Sequence, residues 1–236
     1  MLFASSLISG VLIAREKKVL ATVLLDDGRE VTAYCPNFSD IKDILHQGSR
    51  VYLNHNVNPR RRAKYILELV ESSGSLVSIN NAHNVPLVTE AIISGRIEEL
   101  SNYRDISWRI DALNLGFSGV DVLLSGNKDD SRNCYVAISN ILLKRKAEAV
   151  FPDDVSVGSQ RQLLELEEIV KEGGRAVLLF LVRRMDCLSA NMVWDIDPLY
   201  SGVLVDIINK GVEVACYSCS ISLKSIVVDK SISVFI

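Results

Sequence analysis

The feature that most constrains this chain is the density of short strand-like runs in its first 80 residues. Ser9 to Ala14, Val19 to Leu25, Glu30 to Tyr34, Val51 to Asn54, Tyr65 to Val70 and Ser75 to Ile79 are each four to seven residues long, and their apolar side chains alternate or are β-branched. Asp27-Gly28 supplies a tight hairpin turn between two of them. One small helical piece is expected over Asp40 to Leu45. Strands this short bury their apolar faces by curling into a small barrel, and the OB-fold is the commonest such barrel with a nucleic-acid role. A fragment of a β-sandwich would carry the same pattern.

From Pro86 the texture changes. A helix is expected over Pro86 to Ser94, strands over Trp108 to Leu113, Val120 to Leu124 and Cys134 to Ser139, and a helix over Ser159 to Glu172. Ser159 with Gln162 reads as its capping box, and Gly173-Gly174 as its stop. Ala176 to Val182 is a run of seven apolar residues between Arg175 and Arg183, the signature of a strand buried on both faces. Asp197-Pro198 opens a further helix to Lys210, before a strand over Val212 to Ser218. Strand, helix, strand, helix, strand implies right-handed parallel crossovers. The expected fold class is α+β: an OB-like β-barrel over residues 1–80, then an α/β domain over 81–236 around a central mixed sheet.

Composition narrows the function classes. With 236 residues, 48% hydrophobic and 23% charged, the chain is neither disordered nor collagen-like, and is long enough to bury a core without disulfide staples. Its five cysteines, at 35, 134, 187, 216 and 219, are odd in number and irregularly spaced, which fits reduced thiols and a cytoplasmic protein. Met1 to Ala14 is mostly apolar but lacks the basic start of a signal peptide and falls short of the ~20 residues of a membrane span, so no membrane anchor is expected. The net charge of −3 is unevenly spread: residues 1–80 carry ten basic and eight acidic side chains, residues 81–236 sixteen and twenty-one. That balance excludes a tight non-specific DNA coater and confines any footprint to a patch.

The candidate patch is Asn58-Pro59-Arg60-Arg61-Arg62-Ala63-Lys64-Tyr65, between two barrel strands. Guanidinium forks suit phosphate. Standing alone, such a run reads as a solvated loop before a DNA contact, and Tyr65 as a packed strand residue before a stacking ring. Arg15, Lys17 and Lys18 in the first hairpin turn extend the same surface. His46, His55 and His83 are too dispersed for a zinc site, and Cys216 and Cys219 have no second pair.

Several stretches together resemble the sugar fermentation stimulation protein family: Leu25-Asp26-Asp27-Gly28, Cys35-Pro36-Asn37, Asn58-Pro59-Arg60, Glu90-Ala91 with Gly95-Arg96-Ile97, Phe151-Pro152-Asp153, Arg175 to Phe180, Ile196-Asp197-Pro198 with Tyr200, and Gly211-Val212-Glu213-Val214. The resemblance runs nearly end to end. It implies an OB-like domain followed by a PD-(D/E)XK nuclease-type domain, DNA binding, and a role in sugar-utilisation gene expression.

A nuclease of that type needs clustered carboxylates for Mg²⁺ and a cation for the attacking water, supplied by an E-x-K on one strand, an Asp on its neighbour and a Glu from the preceding helix. Here the strand reads Cys134-Tyr135-Val136-Ala137-Ile138-Ser139-Asn140, so Ala137 stands for the Glu and Ser139 for the Lys. Glu90 and Asp121 are the residual positions. Gly119 replaces the Arg the family usually has two residues before its Asp, and Gly158-Ser159 and Arg161-Gln162 replace its Arg-Gly and Lys-His, while Gln160 matches. The site reads as degenerate, with no cofactor expected.

Three functions are open at this stage. The first is a DNA-binding, regulatory protein whose candidates are Arg60, Arg61, Arg62, Lys64, Arg15, Lys17 and Lys18. The second is a divergent Mg²⁺-dependent nuclease using Glu90, Asp121 and a displaced cation such as Lys144. The third is a protein-interaction scaffold. DNA is the expected partner, a membrane is not, and a homodimer is left open.

Overall fold

A computed structural model describes residues 1–37, 41, 43–56, 63–108 and 118–236. Six N-terminal strands, β1 (Ile8–Glu16), β2 (Leu20–Leu25), β3 (Glu30–Tyr34), β4 (Arg50–His55), β5 (Tyr65–Ser72) and β6 (Ser75–Ser78), form a sheet in the order β3-β2-β1-β4-β5-β6. A parallel pairing of β3 with β5, Ala33 opposite Tyr65 and Tyr34 opposite Ile66, closes the first five into a barrel. Closure removes the sandwich alternative. Leu12, Val23, Ala33, Val51 and Leu67 fill the interior. At Gly10 the strands approach so closely that a Cβ would lie 2.6 Å from the Leu24 carbonyl oxygen. The short helix expected over Asp40 to Leu45 is, in its described part, a turn in which the N–H groups of Ile44 and Leu45 both donate to the Ile41 carbonyl, at 3.0 and 2.8 Å. Residues 38–40 and 42 lie outside the described residues.

The rest of the chain runs α1 (Asn84–Ile93), β7 (Asp105–Trp108), β8 (Val122–Ser125), β9 (Cys134–Ile141), β10 (Lys144–Arg145), β11 (Glu148–Phe151), α2 (Val157–Lys171), β12 (Arg175–Val182), β13 (Ser189–Met192), α3 (Pro198–Asn209), β14 (Glu213–Ile221), β15 (Ile226–Ser231) and β16 (Val234–Phe235). The central sheet has the order β15-β14-β12-β9-β8-β7, with β9, β12 and β14 parallel and the outer strands antiparallel. This is the mixed sheet expected. β10, β11, β13 and β16 form a second, four-stranded sheet. The strand expected over Trp108 to Leu113 is instead β7, ending at Trp108, and residues 109–117 lie outside the described residues.

β12 shows why the apolar run is unbroken. Val177, Leu179 and Leu181 pack with α1 on one face, through Leu87, Val88, Ala91 and Ile92. Ala176, Leu178, Phe180 and Val182 pack on the other face with Leu163, Leu166, Leu204 and Ile207 of α2 and α3. The cap of α2 is not Ser159 as expected but Ser156, whose hydroxyl accepts the Ser159 N–H at 3.1 Å from an extended backbone (φ −139°). The helix therefore starts one turn earlier and takes Gly158 into its first turn.

Candidate functional site

β9 carries Ala137 and Ser139, the two positions at which the resemblance places the E-x-K of the nuclease pattern. Side chains alternate across a strand, and Val136 and Ile138 lie under α1 while Ala137 faces α2 and α3. Ala137 is fully buried in the apolar cluster containing Leu163, Leu166 and Phe180. Ser139, two residues on, hydrogen-bonds the buried Tyr200 phenol, whose pKa burial pushes up.

Asp121 sits just before β8, its N–H donating to the Val136 carbonyl at 2.9 Å and its Oδ2 accepting the Ile138 N–H at 2.7 Å. Burial raises its pKa to about 6. Beside it α2 closes in: the Gln162 amide donates to the Gly119 carbonyl at 2.7 Å, and Glu165 accepts from the Gly119 N–H at 2.6 Å and from the Ser118 hydroxyl at 3.0 Å.

Glu90 is elsewhere. Its helix covers the opposite face of the sheet from Ala137, and its carboxylate takes the Met1 ammonium at 2.8 Å, with Arg96 at 3.9 Å. The same ammonium donates to the Ile226 carbonyl of β15 at 2.9 Å. β15 lies three strands from β9, about 14 Å at the usual strand spacing. The structure thus does not bring Glu90 and Asp121 together. Lys144 is ion-paired to Asp186, and Arg145 makes a bidentate pair with Asp195 at 3.0 and 2.6 Å, so the displaced cation is also committed elsewhere. Among the described residues no three His, Cys, Asp or Glu side chains converge as metal ligands. The donor set of a nuclease-type divalent ion does not fit here.

What does converge is a cavity of about 520 Å³. Asn37 of the barrel, Asn81 and Asn84 at the start of α1, Ser139 and Asn140 of β9, Asp153 and Asp154 after β11, the first turn of α2 and Tyr200 of α3 line it. Asp153 accepts the Leu142 N–H on Oδ2 at 3.2 Å, while its Oδ1 is sealed from solvent without a partner. Burial lifts that carboxyl to a pKa of about 7. Asp154 faces the Lys18 ammonium at 3.8 Å. Behind the wall lies Arg183, fully buried, reaching Asn84 Oδ1 at 2.7 Å, Asn140 Oδ1 at 3.4 Å, Ser78 Oγ at 2.5 Å and the Asn80 carbonyl at 3.2 Å. The sequence gives no motif for these asparagines. Arg183 reads there only as the flank of an apolar run, and Asp153 only as part of a family stretch.

The candidate cations take different roles. Lys17 and Lys18 hold both central positions of the Glu16–Val19 turn at left-handed φ, 50° and 63°. Arg15 braces that turn, donating to the Lys18 carbonyl at 2.9 and 3.1 Å and to the Asn37 carbonyl at 2.6 Å. The Lys64 carbonyl accepts the Asn56 N–H at 2.8 Å. Tyr65 is buried, its ring 5.0 Å from that of His55, so it packs rather than presents a stacking face. Arg60, Arg61 and Arg62 lie outside the described residues. His83 pairs with the buried Glu68 at 2.6 Å, and Cys216 and Cys219 lie in the two different apolar clusters on opposite faces of the sheet.

Residues 82–225 match the sugar fermentation stimulation protein RE domain, and residues 13–79 the SfsA N-terminal OB domain. The chain belongs to the sugar fermentation stimulation protein family. It is 37% identical to a sugar fermentation stimulation protein homolog of Paramagnetospirillum magneticum, over 94% of this chain and 92% of the relative. It is 39% identical to one of Pelobacter propionicus, over 93% and 94%. The structure of Pyrococcus furiosus SfsA in complex with Ca²⁺ superimposes with a TM-score of 0.89 at 20% identity, covering 100% of this chain and 98% of the other. No helix among the described residues is long and apolar enough to cross a membrane.

Within this family member, Gln160 is a tie between helices. Its amide donates to both oxygens of Asp197, at 3.1 and 2.9 Å, and Asp197 caps α3 by accepting the Tyr200 N–H at 3.0 Å. Gln162 is committed to Gly119 and Arg161 to Glu165.

Proposed function

We propose that this family member binds DNA in a regulatory capacity and does not hydrolyse it. The observation that carries the reading is the pair of side chains at the E-x-K positions. Ala137 offers a methyl group to an apolar cluster, and Ser139 a hydroxyl already bonded to Tyr200. Neither ligates a divalent ion nor supplies a charged amine. A single electrostatic stabiliser is commonly worth on the order of 10² to 10³ in rate, and both are replaced. The Ca²⁺ of the Pyrococcus furiosus structure belongs to that protein; among the described residues of this chain no three such side chains converge to hold one.

DNA binding is assigned to the barrel. Its first hairpin turn carries Lys17 and Lys18, and the Lys18 ammonium lies 3.8 Å from Asp154 of the cavity lining, and the run Arg60-Arg61-Arg62 follows β4 in sequence. The test is a gel-shift series against salt. Neutralising Z phosphates gives a log–log slope near −0.9Z on duplex and −0.7Z on single strands. Replacing Arg60, Arg61 and Arg62 together with Ala weakens binding to all sequences and flattens the slope. A flat salt response in the unaltered protein, or DNA cleavage with Mg²⁺ or Mn²⁺ that Asp121→Ala abolishes, overturns the reading.

A further inference from the structure

Arg183 is a buried guanidinium whose hydrogen-bond partners are all neutral oxygens: Ser78 Oγ, the Asn80 carbonyl, Asn84 Oδ1 and Asn140 Oδ1. Among the described residues no carboxylate contacts it, and its Nε has no partner at all. Glu68, a buried carboxylate whose charge acts on it, holds Asn80 and His83 at 2.8 and 2.6 Å. A buried charge that no carboxylate contacts directly is costly, and an anion in the adjoining cavity would lower that cost.

The guanidinium also fixes what the cavity wall presents. Arginine only donates, so Asn84 and Asn140 must turn their amide oxygens toward Arg183 and their NH₂ groups away from it. The Asn140 NH₂ donates to Asn81 Oδ1 at 3.1 Å, which in turn leaves the Asn81 NH₂ outward. Asn81 and Asn84 are three residues apart across the start of α1 and both line the cavity. Among the described residues, the NH₂ groups of both lack an acceptor. The first turn of α2 contributes another wall, where helix N–H groups have no intrahelical partner.

We propose that the cavity is a metal-independent phosphate site, in which the amides of Asn81 and Asn84, oriented by the buried charge of Arg183, donate to the oxygens of a phosphate group. The two acids on the lining do not oppose this: Asp153 is held toward its neutral form by burial, and Asp154 faces Lys18. Ser139 adds a hydroxyl to the lining where the nuclease pattern has its Lys. The site does not depend on DNA binding by the barrel, because the phosphate is either free or carried on a strand.

The test is a titration of isotope-labelled protein with inorganic phosphate at constant ionic strength, following the side-chain NH₂ resonances of Asn81 and Asn84. Saturable shifts of both are expected. Asn84→Asp keeps the acceptor that Arg183 needs, so the fold persists, but it turns a carboxylate oxygen onto the site; phosphate affinity falls at least about tenfold. Resonances that do not move, or an Asn84→Asp protein that binds phosphate as well as the unaltered one, overturn the proposal, whatever the gel shifts show. Oligonucleotides then identify the source. A 5′-phosphorylated strand bound tenfold more tightly than its hydroxyl twin marks a chain end, and equal binding of both, lost in Asn84→Asp, marks an internal phosphodiester. Binding of inorganic phosphate alone marks a free phosphate or phosphomonoester.

Discussion

Gln162 occupies the space that a side chain at Gly119 would need. A Cβ there would lie 3.0 Å from both Gln162 Cα and Cγ and 3.0 Å from Glu165 Oε2, while the Gln162 amide holds the Gly119 carbonyl at 2.7 Å. Two departures from the family pattern, the Gly where an Arg is usual and the Gln where a His is usual, are therefore one packing arrangement. Restoring one alone is expected to fail: Gly119→Arg forces α2 away from the Asp121 loop and costs about 1–3 kcal/mol, typical of overpacking. Urea unfolding measures it, and an unchanged midpoint contradicts the packing account.

The same logic applies to Ala137 and Ser139. Ala137 is fully buried among apolar side chains of α2 and α3. A carboxylate placed there alone has no counter-ion in that apolar cluster, because the Met1 ammonium and Arg96 that pair with Glu90 lie across the sheet. Ala137→Glu alone is expected to lose about 3–5 kcal/mol of stability, the cost of an uncompensated buried charge, and Ala137→Glu with Ser139→Lys to gain no Mg²⁺-dependent cleavage. Cleavage of a labelled duplex by this variant contradicts the view that the whole site, not two residues, has been rebuilt.

The basic turn sets backbone strain against the proposed contact with DNA. Two lysines at left-handed φ replace the Asn-Gly that a turn with both central residues at positive φ favours. Lys17→Asn with Lys18→Gly relieves that strain and is expected to stabilise the protein by about 1–2 kcal/mol. Arg15 still finds the carbonyl of residue 18, so the brace survives. The same variant loses two cations, and its salt slope on single-stranded DNA falls by about 1.4. Greater stability with an undiminished slope assigns the turn no role in binding.

How much of this was legible in the sequence follows from the range of the interactions involved. The barrel strands, the apolar run of β12 and the Asp197 cap are written in local periodicity and turn chemistry, and they appear where expected. The cap of α2 was misplaced by three residues because Ser156 and Ser159 both suit an N-cap, and only backbone geometry decides between them. β10, β11, β13 and β16 run two to four residues each, too short to show a period. That Ala137 and Ser139 carry neither a carboxylate nor an amine is readable directly. The position of Glu90 is not, because it depends on which face of the sheet α1 covers. The Arg183 cluster is the least legible: it joins residues from 78 to 183, and its logic is the absence of a carboxylate, which no linear motif records.

Asp153 makes the site's electrostatics measurable. Its folded carboxyl titrates near 7 against 3.8 for the ordinary group. Between those values the native state keeps a proton that the unfolded chain has released. Since stability rises with pH only where the unfolded state binds more protons, the sign here is the reverse: stability falls as pH rises from about 4 to about 7 and stays low above. Asp121, raised to about 6, adds the same sign over a narrower window. Asp153→Asn removes the ionisation while keeping an oxygen for the Leu142 N–H. It is expected to be neutral in effect near pH 4 and stabilising at pH 8 by on the order of 2–4 kcal/mol. Urea unfolding at the two pH values decides this: a variant that is equally displaced from the unaltered protein at both contradicts a buried, proton-holding carboxyl at position 153.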